Sequence, residues 1–284
     1  MTNLIEARGL SKSYGSHQVL NSVDFNVERG KIVGLVGPNG AGKTTILKAV
    51  LGLTSYEGHL KVLGLEPDKQ RHQIMQKVSF IADVAVLPRW LKVENALEFV
   101  TDVHPNFNLD RAKYFLSKTN IPMNAKVKEL SKGMVAQLHL ALVMSIEAEL
   151  LVLDEPTLGL DILYRKEFYN QLLAEFFDEG RSILVTTHQI EEIENLLTDL
   201  LFIRDGEIVL DASMDEIADK YIEVMVSKEN VEKAEALKPV MQREVFGRKV
   251  YLFEGVGREE LELLGELHSP SVADLFVAKM KEGK

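Results

Sequence analysis

The stretch Gly37-Pro38-Asn39-Gly40-Ala41-Gly42-Lys43-Thr44 holds two glycines with four residues between them, followed at once by lysine and a hydroxyl residue. That spacing is a phosphate-cradling pattern. Glycines let consecutive backbone N–H groups turn inward onto phosphate oxygens, and a helix beginning behind them adds the positive end of its dipole. Lys43 is expected to reach the β- and γ-phosphates of a nucleotide, and the Thr44 hydroxyl to sit on Mg²⁺. The flanks agree with this reading. Lys31-Ile32-Val33-Gly34-Leu35-Val36 reads as a buried strand, and Ala41 to Leu51 as a helix with Ile46, Leu47, Val50 and Leu51 on its apolar face.

Working outward, the 284 residues are 46% hydrophobic, enough for one large domain or a domain with an appendage. There is no cysteine, so neither a disulfide framework nor a thiolate metal site is available, which suits a reducing compartment. The opening Met1-Thr2-Asn3-Leu4-Ile5-Glu6 lacks the charge and apolar run of a leader, and no apolar stretch reaches membrane-spanning length. A soluble, cytoplasmic chain is expected. The net charge of −10 argues against a surface that wraps nucleic acid, and no nucleic-acid partner is expected.

Leu4 to Leu10 and Val19 to Val27 alternate like two half-buried strands, with Tyr14-Gly15-Ser16 between them. Tyr14 is either filler at a strand end or a ring placed to stack on adenine. Gly58 to Leu63 and Val78 to Ala82 are further short strands. From about Val93 to Ile146 the pattern turns helical, in pieces at Val93 to Val103, Asp110 to Thr119 and Ser131 to Ser145 separated by Pro105 and Pro122. Ser131 stands as a helix cap, and Gly133 behind it leaves backbone N–H groups open at that helix start, an ordinary cap or a second phosphate-binding end. Leu150-Leu151-Val152-Leu153 is a continuous apolar run ending in Asp154-Glu155, the form of a central parallel strand that delivers carboxylates at its C-terminal tip. Asp154 is the expected partner of Mg²⁺ opposite Thr44, directly or through a bound water, which leaves Glu155 either free to act on water or a solvated loop residue. A helix from Leu163 to Glu179 and a buried strand from Ser182 to Thr187, ending at His188, complete a doubly wound sheet.

Taken together these segments resemble the nucleotide-binding subunit of an ATP-binding-cassette (ABC) transporter, over about Leu4 to Ala212. The matching motifs are the phosphate loop Gly37 to Thr44, the signature Leu130-Ser131-Lys132-Gly133-Met134, the acidic motif Leu150 to Glu155, the following loop Leu158-Gly159-Leu160-Asp161, and Thr187-His188. The resemblance implies an α/β fold of the P-loop NTPase class: a RecA-like parallel sheet core, an N-terminal antiparallel β subdomain and a helical signature subdomain at about 93–146. On that reading residues 1–213 form the ATPase domain and 214–284 a small C-terminal α/β domain. It further implies that two such subunits meet head to tail, so that Ser131 and Gly133 touch the ATP held by the partner's Lys43, and Asp161 makes a contact across the dimer. By the same resemblance Glu155 is similar to the general base and His188 to the residue that holds the γ-phosphate and attacking water. Tyr14 is similar to the adenine-stacking aromatic, while Gly37, Pro38, Asn39, Gly40, Ala41, Gly42, Lys43, Thr44 and Thr45 cradle the phosphates.

The chain departs from the family pattern in three places. Asp83 stands where most members carry glutamine; a carboxylate can ligate Mg²⁺ but cannot donate to a γ-phosphate. Lys132 and Met134 replace a glycine and a glutamine of the usual signature, and Gln137 stands where arginine is common. These features are similar to a branch of exporter ATPases linked to antibiotic-peptide resistance. The only tryptophan, Trp90, is either a packed indole or an exposed anchor, in the segment where this family receives its membrane partner. Tyr221 to Val226 and Lys249 to Phe253 read as strands of the tail, Val231 to Leu237 and Val272 to Met280 as its helices. The function expected is ATP hydrolysis to ADP and phosphate by a Mg²⁺-dependent homodimer. It would power a separately encoded transmembrane permease, an exporter, from the inner face of the membrane. The alternatives are an ABC ATPase acting on ribosomes or nucleic acid, and a catalytically weak regulatory subunit.

Overall fold

The first two strands extend further than their apolar runs. In the computed structural model, which describes residues 3–82, 87–158, 160–176 and 181–281, β1 spans Asn3–Tyr14 and β2 spans His17–Glu28. Antiparallel pairing continues to the turn, where Tyr14 lies opposite His17, so ladder hydrogen bonds stabilise residues whose side chains bury little. Behind them come β3 (Ile32–Val36) and β4 (Glu57–Val62). The order β2-β1-β4 makes an antiparallel sheet.

The other sheet of this part is parallel. Its parallel strands are β3, β5 (Val78–Ile81), β6 (Leu150–Asp154) and β7 (Ser182–Thr187), which follow one another in the order β5-β6-β7-β3. Every residue of β3, β6 and β7 is buried, which is why these strands read as continuous apolar runs and not as alternating ones. The crossovers carry α1 (Lys43–Val50) and α2 (Pro67–Met75). The second of these escapes a sequence reading because only Pro67 and Ile74 are buried in it, too few to set a period. Parallel strands joined this way bring their C-terminal ends to one edge.

The helical region consists of α3 (Val93–Val103), α4 (Leu109–Ser117) and α5 (Lys132–Met144). Their shared core includes Val93, Leu97, Ala112, Leu116 and Leu138. The side chains of Asn108 and Ser131 accept from Arg111 N and Met134 N, capping α4 and α5. Trp90 is 72% exposed, so of its two readings the packed indole is excluded. After β6, α6 covers Ile162–Phe176; Glu179, expected to end it, lies outside the described residues.

The chain divides into two compact units, Met1–His188 with Ile203–Ile208, and Gln189–Phe202 with Val209–Lys284. Two strands, β8 (Asp199–Arg204) and β9 (Glu207–Ser213), run through the division. The second unit holds α7 (Met214–Lys220), β10 (Tyr221–Val226), α8 (Val231–Ala236), β11 (Met241–Val245), β12 (Arg248–Glu254), α9 (Arg258–Glu262), β13 (Gly265–His268) and α10 (Val272–Lys281). Its sheet runs β11-β12-β10-β13, all antiparallel.

An ion cluster ties this second unit together. Glu254 meets Lys220 at 2.7 Å and Lys279 at 2.9 Å, and accepts from the Tyr221 hydroxyl at 3.0 Å. Burial alone would raise its pKa, but the Lys220, Lys279 and Tyr221 hydrogen bonds outweigh it and hold the carboxyl at about 2. Between that value and the ordinary 4.5 the unfolded chain binds the proton more readily than the folded one. Stability therefore rises with pH in that window and is lost as pH falls through it. We expect the unfolding midpoint of the second unit to drop between pH 4.5 and 2. The drop should be blunted in Glu254→Gln, and a variant that retained the full acid sensitivity would assign it to other carboxylates.

Candidate active site

The cradle forms because α1 starts where β3 ends. Its cap is Gly42 at φ 114°, which offers no side-chain acceptor to the first N–H groups of the helix, and those groups face outward for a ligand. Gly37 is fixed by packing: a Cβ there would stand 2.4 Å from the Ile203 carbonyl oxygen. Because that neighbour is backbone and cannot swing aside, Gly37→Ala should displace the loop. The expected result is a lowered melting temperature and, by titration calorimetry, ATP affinity reduced by about tenfold or more. Unchanged binding would separate the loop from the nucleotide site.

Around this loop lies an open cleft of about 660 Å³, lined by Asn39, Gly40, Gly42, Lys43, Thr44 and Thr45 from the loop and α1, by Asp154, Glu155 and Leu158 after β6, and by His188 after β7. His17 and Val19 from β2 complete it. Gly37 and Ala41 of the loop are buried, and the Pro38 carbonyl faces Lys43. The Lys43 ammonium donates to the carbonyl oxygens of Gly37 at 2.7 Å and Pro38 at 3.1 Å. It stands 4.0 Å from Glu155. Burial lowers its pKa, and the charges of Glu155 and Asp154 work against that shift.

The Asp154 carboxylate and the Glu155 main chain are held by β7. The Thr186 hydroxyl donates to Asp154 Oδ1 at 2.7 Å, while the Glu155 N–H donates to the Thr186 hydroxyl and carbonyl oxygens at 3.1 and 3.2 Å. Glu155 takes a positive φ of 46°, an uncommon backbone state for a residue with a side chain, and one that surrounding contacts must maintain. Its side chain meets His188 Nδ1 at 2.6 Å through one oxygen and faces Lys43 with the other. A carboxylate between an imidazole and an ammonium is placed to take a proton and pass it on.

Not every expected residue is in the cleft. Tyr14 is not among its lining residues; its side chain is 48% exposed, and hydrogen bonding by Thr54 lowers the pKa of its phenol, opposed by burial and aided by Thr45. The Lys12 ammonium lies 4.9 Å from the ring centre. Ser131, Gly133 and Asp161 likewise line no part of the cleft; Asp161 Oδ1 accepts from Leu163 N and Tyr164 N at 3.1 and 3.2 Å, capping α6. Asp83 and Gly159 lie outside the described residues. Sequence reasoning passed over His17, Val19 and Thr186. The pair Thr186-Thr187, polar residues following the apolar run Ile183–Val185, is the one signal available for the last.

The site suits a nucleotide polyphosphate, since a free helix start and a buried ammonium face one cleft of ligand size. For a metal it offers the Thr44 hydroxyl and the Asp154 carboxylate. Among the described residues no group of three or more His, Cys, Asp or Glu is gathered to hold an ion. The Thr44 and Asp154 oxygens suit Mg²⁺, which binds through one or two protein oxygens together with substrate phosphates.

Known proteins place this chain in a family. The model of the ABC transporter family matches residues 20–158. The Nod factor export ATP-binding protein I of Cupriavidus metallidurans is 32% identical over 283 residues, covering 94% of this chain and 91% of that protein. The chain belongs to the ABC transporter family. The lantibiotic transport ATP-binding protein SrtF of Streptococcus pyogenes is 32% identical over 75% of this chain and 92% of its own length. A solved ATP-binding subunit of an ABC transporter superposes with a TM-score of 0.70 at 26% identity, over 76% of this chain and 92% of that one. The chain is thus an ABC ATP-binding subunit with the fold of a cassette, and the family as a whole implies ATP hydrolysis and a membrane permease as partner. Among the described residues no helix is long and apolar enough to cross a membrane.

Proposed function

We propose that this chain hydrolyses ATP to ADP and phosphate with Mg²⁺, as a homodimer that drives a separately encoded permease in the export direction from the inner face of the membrane. The observation that carries the reading is the set Lys43, Asp154, Glu155 and His188 converging on the cleft behind the free start of α1. Phosphoryl transfer asks chiefly for positioning and charge neutralisation. The loop N–H groups and Lys43 bind the β- and γ-phosphates, and Thr44 and Asp154 hold the metal, which neutralises the charge that develops on the phosphates. Glu155 accepts the proton of the attacking water, while His188 orients that carboxylate and the γ-phosphate side of the cleft. Export is supported by the relatives named for Nod factor export and lantibiotic transport.

Dimerisation is supported from the other direction. Ser131 and Gly133 have no place in this chain's own cleft, and Leu158, Ile162 and Leu163, close after Glu155, leave an apolar surface open, Leu163 at 76%. A second copy supplies the missing signature and covers that surface. Dimer formation then assembles the complete site, which couples closure to hydrolysis. We propose the same division of labour along the chain as the family resemblance implies, an ATPase domain over 1–213 and an accessory domain over 214–284. The test is the hydrolysis rate per molecule as a function of protein concentration, in the purified chain with Glu155→Gln as control. A rate that climbs with concentration and vanishes in the control is expected. A rate independent of concentration would mean that a single copy carries the whole site.

A further inference from the structure

Gly133 is buried although Ser131 and Lys132 beside it are exposed. What covers it is the ring of Tyr164, from the first turn of α6. A Cβ on Gly133 would stand 3.1 Å from Tyr164 Cδ2 and Cε2 and 3.2 Å from Cδ1, closer than a side chain ordinarily comes. Gly133 lies within the first turn of α5 and needs no positive φ, so its own backbone makes no demand for glycine. A glycine in a helix is less favourable than alanine. At this position the cost is offset by letting an aromatic ring lie flat against the main chain.

Tyr164 is in turn tied to the catalytic strand. The Leu158 N–H donates to the Glu155 carbonyl at 3.1 Å and the Leu160 N–H to the Thr157 carbonyl at 3.0 Å. The Asp161 carboxylate then caps the helix turn that bears Tyr164, and the Arg165 guanidinium closes back onto the Leu160 carbonyl at 2.7 Å. A continuous set of contacts therefore runs from the Glu155 main chain to the start of α5. The two ends of that set serve different nucleotides under the functional reading above: Glu155 the one bound by its own chain, Ser131 and Gly133 the one bound by the partner.

We propose that Tyr164 is a positioning residue for the signature, holding the start of α5 in register with the Glu155 loop through its ring and not its hydroxyl. The proposal rests on the dimeric ATPase reading. It assigns Tyr164 no contact with nucleotide; the residue acts through Gly133 and Ser131. Removing the ring lets the first turn of α5 shift, and a shift of about 1 Å in a group that orients the transition state costs up to a hundredfold.

The experiment compares Tyr164→Ala and Tyr164→Phe with the unaltered full chain in steady-state ATP hydrolysis and in ATP binding to dilute protein. Tyr164→Ala is expected to lower kcat and kcat/KM together by about tenfold to a hundredfold, with the binding constant of the dilute protein within twofold. Tyr164→Phe should recover turnover, because the ring is kept. Overall destabilisation would move binding as well and would not leave phenylalanine and alanine so far apart. A Tyr164→Ala chain with unaltered kcat, or a Tyr164→Phe chain as slow as Tyr164→Ala, overturns the proposal alone. An unaltered chain that binds ATP but never turns it over, at any concentration, removes the parent reading and the proposal with it.

Discussion

Glu155→Gln is expected to bind ATP at least as tightly as the native chain and to hydrolyse it between about a hundredfold and ten-thousandfold more slowly, the range ascribed to a positioned general base. Glutamine has the shape of glutamate, so the main-chain anchors survive: the residue 155 N–H still donates to the Thr186 oxygens and the positive φ is retained. The loss falls on the proton acceptor, since an amide cannot take the proton of the attacking water. Removing a negative charge that stands 4.0 Å from Lys43 also relieves repulsion with the γ-phosphate, which is why binding should hold or improve. Phosphate release measures the first effect, and size-exclusion with light scattering in ATP measures accumulation of the ATP-bound dimer. Hydrolysis within about threefold of the native rate would remove Glu155 from its role, because no general-base contribution is that small.

Lys43→Ala should act on binding and turnover together. The ammonium is compact, nearly buried, and seated between the Gly37 and Pro38 carbonyls, from which it can turn to phosphate oxygens without reorganising the loop. Loss of one preorganised donor to a developing charge costs about a hundredfold to a thousandfold in kcat, and the nucleotide affinity should fall by about tenfold or more besides. Lys43→Arg is not expected to recover either quantity, because a planar guanidinium presents a wide fork where the loop accommodates a point charge. Circular dichroism guards against a folding defect. If Lys43→Ala bound ATP normally by calorimetry, the phosphate loop would have to be reassigned as a structural turn.

The signature and its neighbourhood illustrate how far a linear reading reaches. Ser131 is legible as a cap from its position before an apolar helical run, and it caps α5. Nothing in the order of residues says that Tyr164, thirty-one positions on, will lie against Gly133. For Tyr14 the residue type and place imply a ring for adenine, while its half-exposed side chain is not among the residues that line the cleft. His17 and Val19 line the cleft without any local motif because β2 happens to return beside the loop. Trp90 could be read either way, since indole suits a core and an interface equally well.

The amino-acid order alone determined the cradle, the buried parallel strands and the carboxylates at the end of β6, because each depends on local spacing: glycine conformations, the period of apolar residues, the identity of a few neighbours. Tertiary structure decided how those pieces act together. The parallel register that pairs Asp154 with Thr186 sets a hydroxyl against the Asp154 carboxylate and the Glu155 main-chain N–H, and the same register carries His188 to Glu155. Register is fixed by the packing of whole strands against their neighbours, a long-range property that no single stretch of residues records.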